Sequence, residues 1–186
     1  MRKAIYKFFI KCVFFLSNQL TALVHKKEQI DLNNDLKVCA FHTLNIGDTI
    51  MLSPAIVNLS HVFGKNLYIV CTFLGYKVLR GIIPDEQFII YNPDNFLEYI
   101  KIIRKVSKHN FDIIFDFHNS FFGFQIYLFP ILVSCPKTLR IGYKTDFYKG
   151  FLLHYEQFWV SGKKHESEHY ADLLESINIE IPSKDL

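Results

Sequence analysis

The sequence has no loop of the kind that cradles a phosphate. Glycine is sparse, 8 of 186 residues, and no two glycines stand in a G-x-G-x-x-G run. That excludes the dinucleotide fingerprint, and the lack of any G-K-[ST] excludes a P-loop. There is no D-x-D pair of carboxylates of the sort that holds a divalent cation. The four cysteines, Cys12, Cys39, Cys71 and Cys135, are far apart and form no C-x-x-C. A zinc site therefore has little support, and reduced thiols in a cytosolic protein are expected. Excess charge is also small: a net +3 gives no reason to expect nucleic acid as a partner. A membrane span needs about 20 mostly apolar residues. The apolar start of this chain is broken by Lys7, by Lys11 and again by Ser17-Asn18-Gln19. The same breaks shorten any signal-peptide core, and no convincing A-x-A cleavage site follows.

What is present is a large apolar fraction, half of all residues, with 16% aromatic. That composition supports a sizeable core, and the length fits one domain with an appendage. Charge is uneven. Arg2, Lys3, Lys7, Lys11, Lys26 and Lys27 precede the first acid, Glu28. On a helical wheel Lys3, Lys7, Lys11, Asn18, Thr21 and His25 share one side. Ile5, Phe8, Phe9, Cys12, Phe15, Leu16, Leu20 and Leu23 share the other, with Ile10 and Phe14 as misfits. Residues 1–35 thus read as a basic amphipathic helix and a polar linker. Such a helix lies in an anionic membrane surface or packs on its own domain.

From Leu36 onward strand-like and helix-like runs alternate. Strands are expected at Leu36–Phe41, Leu67–Cys71, Gln87–Tyr91, Phe111–Phe117 and Thr138–Tyr143. Helices are expected at Thr49–Phe63, Leu74–Ile82, Asn95–His109, Phe121–Val133 (with Pro130 bending or ending it) and His165–Ile177. In the first helix Leu52, Ala55, Ile56, Leu59 and Phe63 fall on one face. This order predicts an α/β, Rossmann-like, doubly wound and mainly parallel sheet over residues 36–180. Residues 181–186 read as the start of a linker or a C-terminal tail. Ligands of such folds meet the carboxyl ends of the strands. The loops to watch are His42–Asp48, Thr72–Leu74, His118–Ser120 and Gly142–Asp146.

The first of these loops, within HTLNIGDTIMLSPA, holds a lone glycine, Gly47, and then an acid, Asp48. Asp48 reads as a helix N-cap, a feature that contributes about 1 kcal/mol, with Gly47 allowing a tight turn. Ser53-Pro54 offers a second possible helix start.

Several segments in order resemble the heptosyltransferase family, glycosyltransferase family 9. They are Gly47-Asp48 followed by Pro54-Ala55, then Phe111-Asp112-Ile113-Ile114-Phe115-Asp116, then Arg140-Ile141-Gly142-Tyr143, and finally the histidine-led His165–Tyr170. The match runs from about Leu36 to Ile179 and covers the first of the family's two domains. The resemblance implies the N-terminal, acceptor-side half of a GT-B arrangement. It also implies an inverting, metal-independent transfer without cofactor, and Asp48 as catalytic base. The second domain would hold the donor, an ADP-heptose-like nucleotide-sugar. The acceptor would be a lipopolysaccharide-type glycolipid. The enzyme would work in the cytoplasm, peripheral on the inner face of the membrane. On this reading His42, Thr43, Asn45, Gly47, His118, Asn119 and Arg140 bind substrate. For His42 and His118 the alternative is a satisfied loop histidine, and for Arg140 a structural salt bridge. His165 and His169, one turn apart, read as capping or surface residues. The alternative reading of the whole chain is a non-catalytic, truncated or split binding module of the same fold. An unrelated flavodoxin-like nucleotide binder is disfavoured by the missing phosphate loop.

Overall fold

The structure, a computed structural model, describes residues 35–92, 96–118, 129–130, 132–135, 137–144, 155–158 and 164–179. The predicted N-terminal helix, most of the predicted helix over 121–133, Asn119 and residues 181–186 lie outside these.

β1 (Val38–His42) is buried along its whole length. A strand covered on both faces needs no polar alternation, which is why its sequence reads as a continuous apolar run. α1 (Ile46–Phe63) follows and buries Leu52, Ala55, Ile56, Leu59 and Phe63, the face that the spacing predicts. Each large apolar side chain buried this way contributes roughly 1.5–3 kcal/mol. Pro54 sits inside α1, so the start at Ser53-Pro54 does not occur. Proline there has no N–H for the carbonyl of Ile50. The Ser53 hydroxyl donates to that carbonyl instead, at 2.7 Å. α1 stops at Gly64, whose positive φ of 49° ends the helical path at low cost.

β2 (Leu67–Cys71), α2 (Phe73–Leu79), β3 (Phe88–Ile90) and α3 (Phe96–Ser107) come next, then β4 (Ile113–Asp116) and β5 (Leu139–Lys144). The last elements are β6 (Tyr155–Phe158) and α4 (Glu166–Glu175). Gly75 of α2 is held close to β2. A Cβ there would lie 3.2 Å from the Cβ of Cys71, tighter than ordinary packing allows. β6 is an addition to the expected strands.

The sheet order is β3-β2-β1-β4-β5-β6, and every pairing is parallel. The chain therefore winds outward from β1 in one direction, then returns to β4 on the other side. This is the doubly wound α/β fold, and its topological switch point lies between β1 and β4. One core joins Val38 and Ala40 of β1 to α1 and to Tyr170, Leu173 and Leu174 of α4. The other joins Cys39 and Phe41 to Tyr99 and Val106 of α3 and to Phe129. Alternation along β1 thus assigns even-numbered residues to the α1/α4 face and odd-numbered residues to the α3 face. Cys39 and Cys71 are fully buried, and burial pushes the Cys71 thiol up to about 12 and that of Cys39 higher still. Both act as small hydrophobes. Among the described residues no helix is long and apolar enough to cross a membrane.

Candidate functional site

The switch point brings together the carboxyl ends of β1 and β4, and a buried relay ties them. The Asp116 carboxylate accepts from the backbone N–H of His118 at 3.1 Å and lies 2.7 Å from His118 Nδ1. On the far side of the ring, the backbone N–H of Thr43 donates to His118 Nε2 at 3.1 Å. The Thr43 hydroxyl is 2.9 Å from the same nitrogen. A backbone N–H can only donate, so Nε2 presents its lone pair and the ring proton sits on Nδ1, facing Asp116. His118 is fully buried, as is Asp116 to within 2%. Removing one partner from a buried set like this typically costs 3–5 kcal/mol. The relay therefore fixes the β1 loop relative to the β4 end. Both nitrogens of His118 are committed to it, as are the amide and hydroxyl of Thr43.

His42 is different. Its ring is 1% exposed and stacks near His118, with centroids 5.9 Å apart, yet neither nitrogen has a hydrogen-bond partner. Burial, and then the neighbouring His118, lower its pKa to about 3, with Asp116 pulling weakly the other way. The imidazole is therefore neutral at pH 7, one nitrogen a donor and the other an acceptor. By alternation His42 belongs to the sheet face covered by α1 and α4.

Asp48 is not the cap of α1. Asn45 occupies the N-cap, its side chain making no capping bond, and the backbone N–H and hydroxyl of Thr49 both donate to the Asn45 carbonyl. Asp48 stands three residues inside, in the first turn, where the helix dipole favours a negative charge. The reason for Gly47 changes as well. It lies in that first helical turn without positive φ, and a Cβ there would meet nothing within 4 Å. Glycine in a helix costs about 0.5–1 kcal/mol relative to alanine. No local strain requires it, and its effect is to leave bare backbone at the edge of a cavity.

That cavity, about 810 Å³, is lined by Thr43 to Gly47 after β1, Thr72 to Leu74 after β2 and Ile90 to Asn92 after β3. The third segment was not among the loops expected from the sequence. Asn45 and Gly47 are exposed at its rim. Ile46, Phe73, Leu74 and Ile90, each 44–53% exposed, give it an apolar edge. Solvent-facing apolar side chains gathered around one cavity mark an interaction surface.

Arg140 is set back from this edge. It stands opposite Ile114 in the register, two rungs before the Asp116–Gly142 pair. Its guanidinium is half-buried, and burial lowers its pKa. His165 caps α4, its Nδ1 accepting from the Ser167 N–H, as a capping reading expects. His169 is buried one turn on.

One residue that sequence reasoning missed is Glu166. It opens α4, which packs on α1, and its carboxyl feels the charge of Asp48. Burial, then the charge and hydrogen bond of Asp48, raise the pKa of Glu166, with His165 and His169 offsetting part of this. The only trace in the sequence is an acid in the first turn of the last helix.

No protein-family model matches the chain, and no curated protein matches it. Among solved structures it is similar to the crystal structure of a glycosyl transferase family 9 protein from Veillonella parvula DSM 2008. The TM-score is 0.62 and the identity 14%, over 83% of this chain and 44% of that one. The chain thus spans less than half the length of this neighbour. At such identity the likeness establishes a shared fold, the Rossmann-like α/β fold seen in a family 9 glycosyltransferase.

Proposed function

We propose that this chain is the acceptor-side domain of an inverting, metal-independent glycosyltransferase of the heptosyltransferase type, with Asp48 as its base. The observation that carries the reading is the place of Asp48. It lies in the first turn of α1, just after the carboxyl end of β1, in a fold shared with a family 9 glycosyltransferase. In the reaction, the Asp48 carboxylate takes the proton of an acceptor hydroxyl. The oxygen then bonds to the anomeric carbon of the donor sugar. The bond from that carbon to the nucleoside diphosphate breaks, and its electron pair leaves with the diphosphate. Attack opposite the leaving group inverts the anomeric centre. An ADP-heptose-like donor would be held by a second domain of the kind the family has.

His42 remains a substrate contact in the proposal, its two unpartnered nitrogens meeting acceptor hydroxyls only where acceptor binding uncovers the buried ring. Thr43 and His118 position the loop through the relay, and Asn45 and Gly47 line the cavity rim. Asn119 and Arg140 remain substrate contacts in the proposal, Asn119 lying outside the described residues. The apolar rim suits a lipopolysaccharide-type glycolipid acceptor. The alternative is a non-catalytic, truncated or split binding module of the same fold. Loss of transfer in Asp48→Ala separates the two, as set out in the Discussion.

The basic start of the chain suits a peripheral site on the inner face of the membrane. Removing residues 1–27 takes away six basic residues. Each contributes about 1 kcal/mol near an anionic surface, so binding to anionic phospholipid vesicles should fall at least tenfold in a co-sedimentation assay. Binding unchanged by the deletion would refute the membrane role.

A further inference from the structure

The cavity at the ends of β1, β2 and β3 has no charge in its wall. Among the described residues that line it there is no lysine, arginine, histidine, aspartate or glutamate. Its volume, about 810 Å³, falls in the range of small-molecule sites, roughly 300–1,000 Å³. The ammonium of Lys77 lies over the Phe73 ring, 4.8 Å from its centroid, and is not part of the wall. The carboxyl next to the cavity in sequence is Asp48, directly after the lining Gly47. A carboxylate or phosphate entering here would give up water, meet no cation in the wall and be repelled by Asp48.

Uncharged polar groups are present instead. Asn45 occupies the N-cap of α1, but its side chain makes no capping bond. Its amide keeps two donors and an acceptor for a ligand. Without that cap, the first-turn N–H groups of Ile46 and Gly47 have no intrahelical partner and can only donate. The Thr72 hydroxyl accepts from the Gly75 N–H at 3.2 Å and keeps its own proton to donate. Beside these groups stands an apolar plate, Phe73 and Leu74, each about half exposed. A bare hydrocarbon chain would cover the polar groups and pair none of them. A sugar ring answers both halves of the wall, with hydroxyls at its edge and C–H groups on its face.

We propose that this cavity is an acceptor subsite for an uncharged sugar ring, a hexose or heptose bearing only hydroxyls, and that it discriminates against sugar acids and phosphorylated sugars. Asn45 is its specificity-determining polar residue, and Phe73 is the plate on which the ring packs. This rests on the reading of the edge as an acceptor site and adds the charge class of the unit it takes.

The test is nitrogen-15 NMR of the whole chain, titrated with neutral methyl hexosides and heptosides, with the matching methyl uronides, and with 1-octanol. The neutral glycosides should give saturable amide shifts at residues 43–47, 72–74 and 90–92. The uronides, which add one unpaired negative charge, should bind there roughly tenfold more weakly or not at all. Phe73→Ala and Asn45→Ala should each lower the affinity for neutral glycosides several-fold. Both side chains are exposed, so the fold survives either change. Uronides that bind these segments as tightly as the neutral glycosides would overturn the proposal and leave an acceptor site standing. Saturation by octanol with no glycoside binding would overturn it, as would unchanged affinity in both variants. Binding by no glycoside of either kind would remove the acceptor reading along with it. Neutral glycoside binding together with undiminished transfer by Asp48→Ala would support the subsite and remove only the reading of Asp48 as base.

Discussion

Asp48→Ala should lower sugar transfer by about 10²–10⁴-fold, the range a positioned general base contributes. The fold should survive. Asp48 is half-buried, is not the N-cap, and is not among the buried residues of the core. What is lost structurally is one favourable charge in a first helical turn, about 0.3–1 kcal/mol. The variant should therefore unfold within a few degrees of the wild type while transfer collapses. Transfer is followed by mass spectrometry with an ADP-heptose donor and a lipopolysaccharide-type acceptor, using the complete polypeptide that carries this domain. Near-normal transfer would assign Asp48 a purely structural place. Asp48→Asn sharpens the result. It keeps the size but not the basicity, so it should be as inactive as alanine.

The second large effect is a loss of stability on acidification, through His42. Its folded pKa of about 3 lies below the ordinary histidine value of 6.5. The unfolded chain therefore binds a proton first as pH falls. Stability is full above about pH 6.5 and is lost as pH drops through the window between 6.5 and 3. At pH 5 the loss should be about 2 kcal/mol, since protonating the unfolded chain is nearly complete there and the folded ring remains neutral. Denaturant unfolding at pH 7.5 and pH 5 measures it. A His42→Gln variant should show a much smaller difference between the two pH values, because the group that titrates is gone. Equal losses in both proteins would show that His42 is not the source.

Much of this architecture is legible from periodicity. The faces of α1 and α4, Leu52-Ala55-Ile56-Leu59-Phe63 and Tyr170-Leu173-Leu174, are buried as the 3.6-residue spacing requires, and Ile177 is buried just past the end of α4. The buried strands stand out because parallel sheets covered on both faces need continuous apolar runs. β6 does not stand out. Tyr155-Glu156-Gln157-Phe158 is a four-residue edge strand with polar residues at its centre, and an edge strand has only one neighbour to satisfy.

The helix start is a subtler case. Asn45, Asp48 and Ser53 are all competent to begin a helix, and local propensity does not choose between them. Tertiary packing decides, by setting Thr49 and Leu52 into the core and so carrying the helix back to Ile46.

The site was half legible. The β1 loop and Asp48 are marked by their order after a strand. The relay is not, because Thr43 meets His118 only through the parallel pairing of β1 with β4. A histidine written in a loop is thereby fully buried. Glu166 is less legible still. Its place near the start of α1 depends on how α1 and α4 pack across the same sheet face, and no spacing in the sequence encodes that packing.

The central claim is that the carboxyl edge around β1 and β4 receives a sugar acceptor. It is tested most directly by nitrogen-15 NMR of the chain titrated with a soluble inner-core-type oligosaccharide from lipopolysaccharide, with ADP alone as the comparison. The account predicts saturable amide shifts at Thr43–Asp48 and Glu166–Tyr170, and none at the opposite edge around Ser107–Phe111. Shifts absent from the first two segments, or produced there by ADP and not by the oligosaccharide, would contradict it.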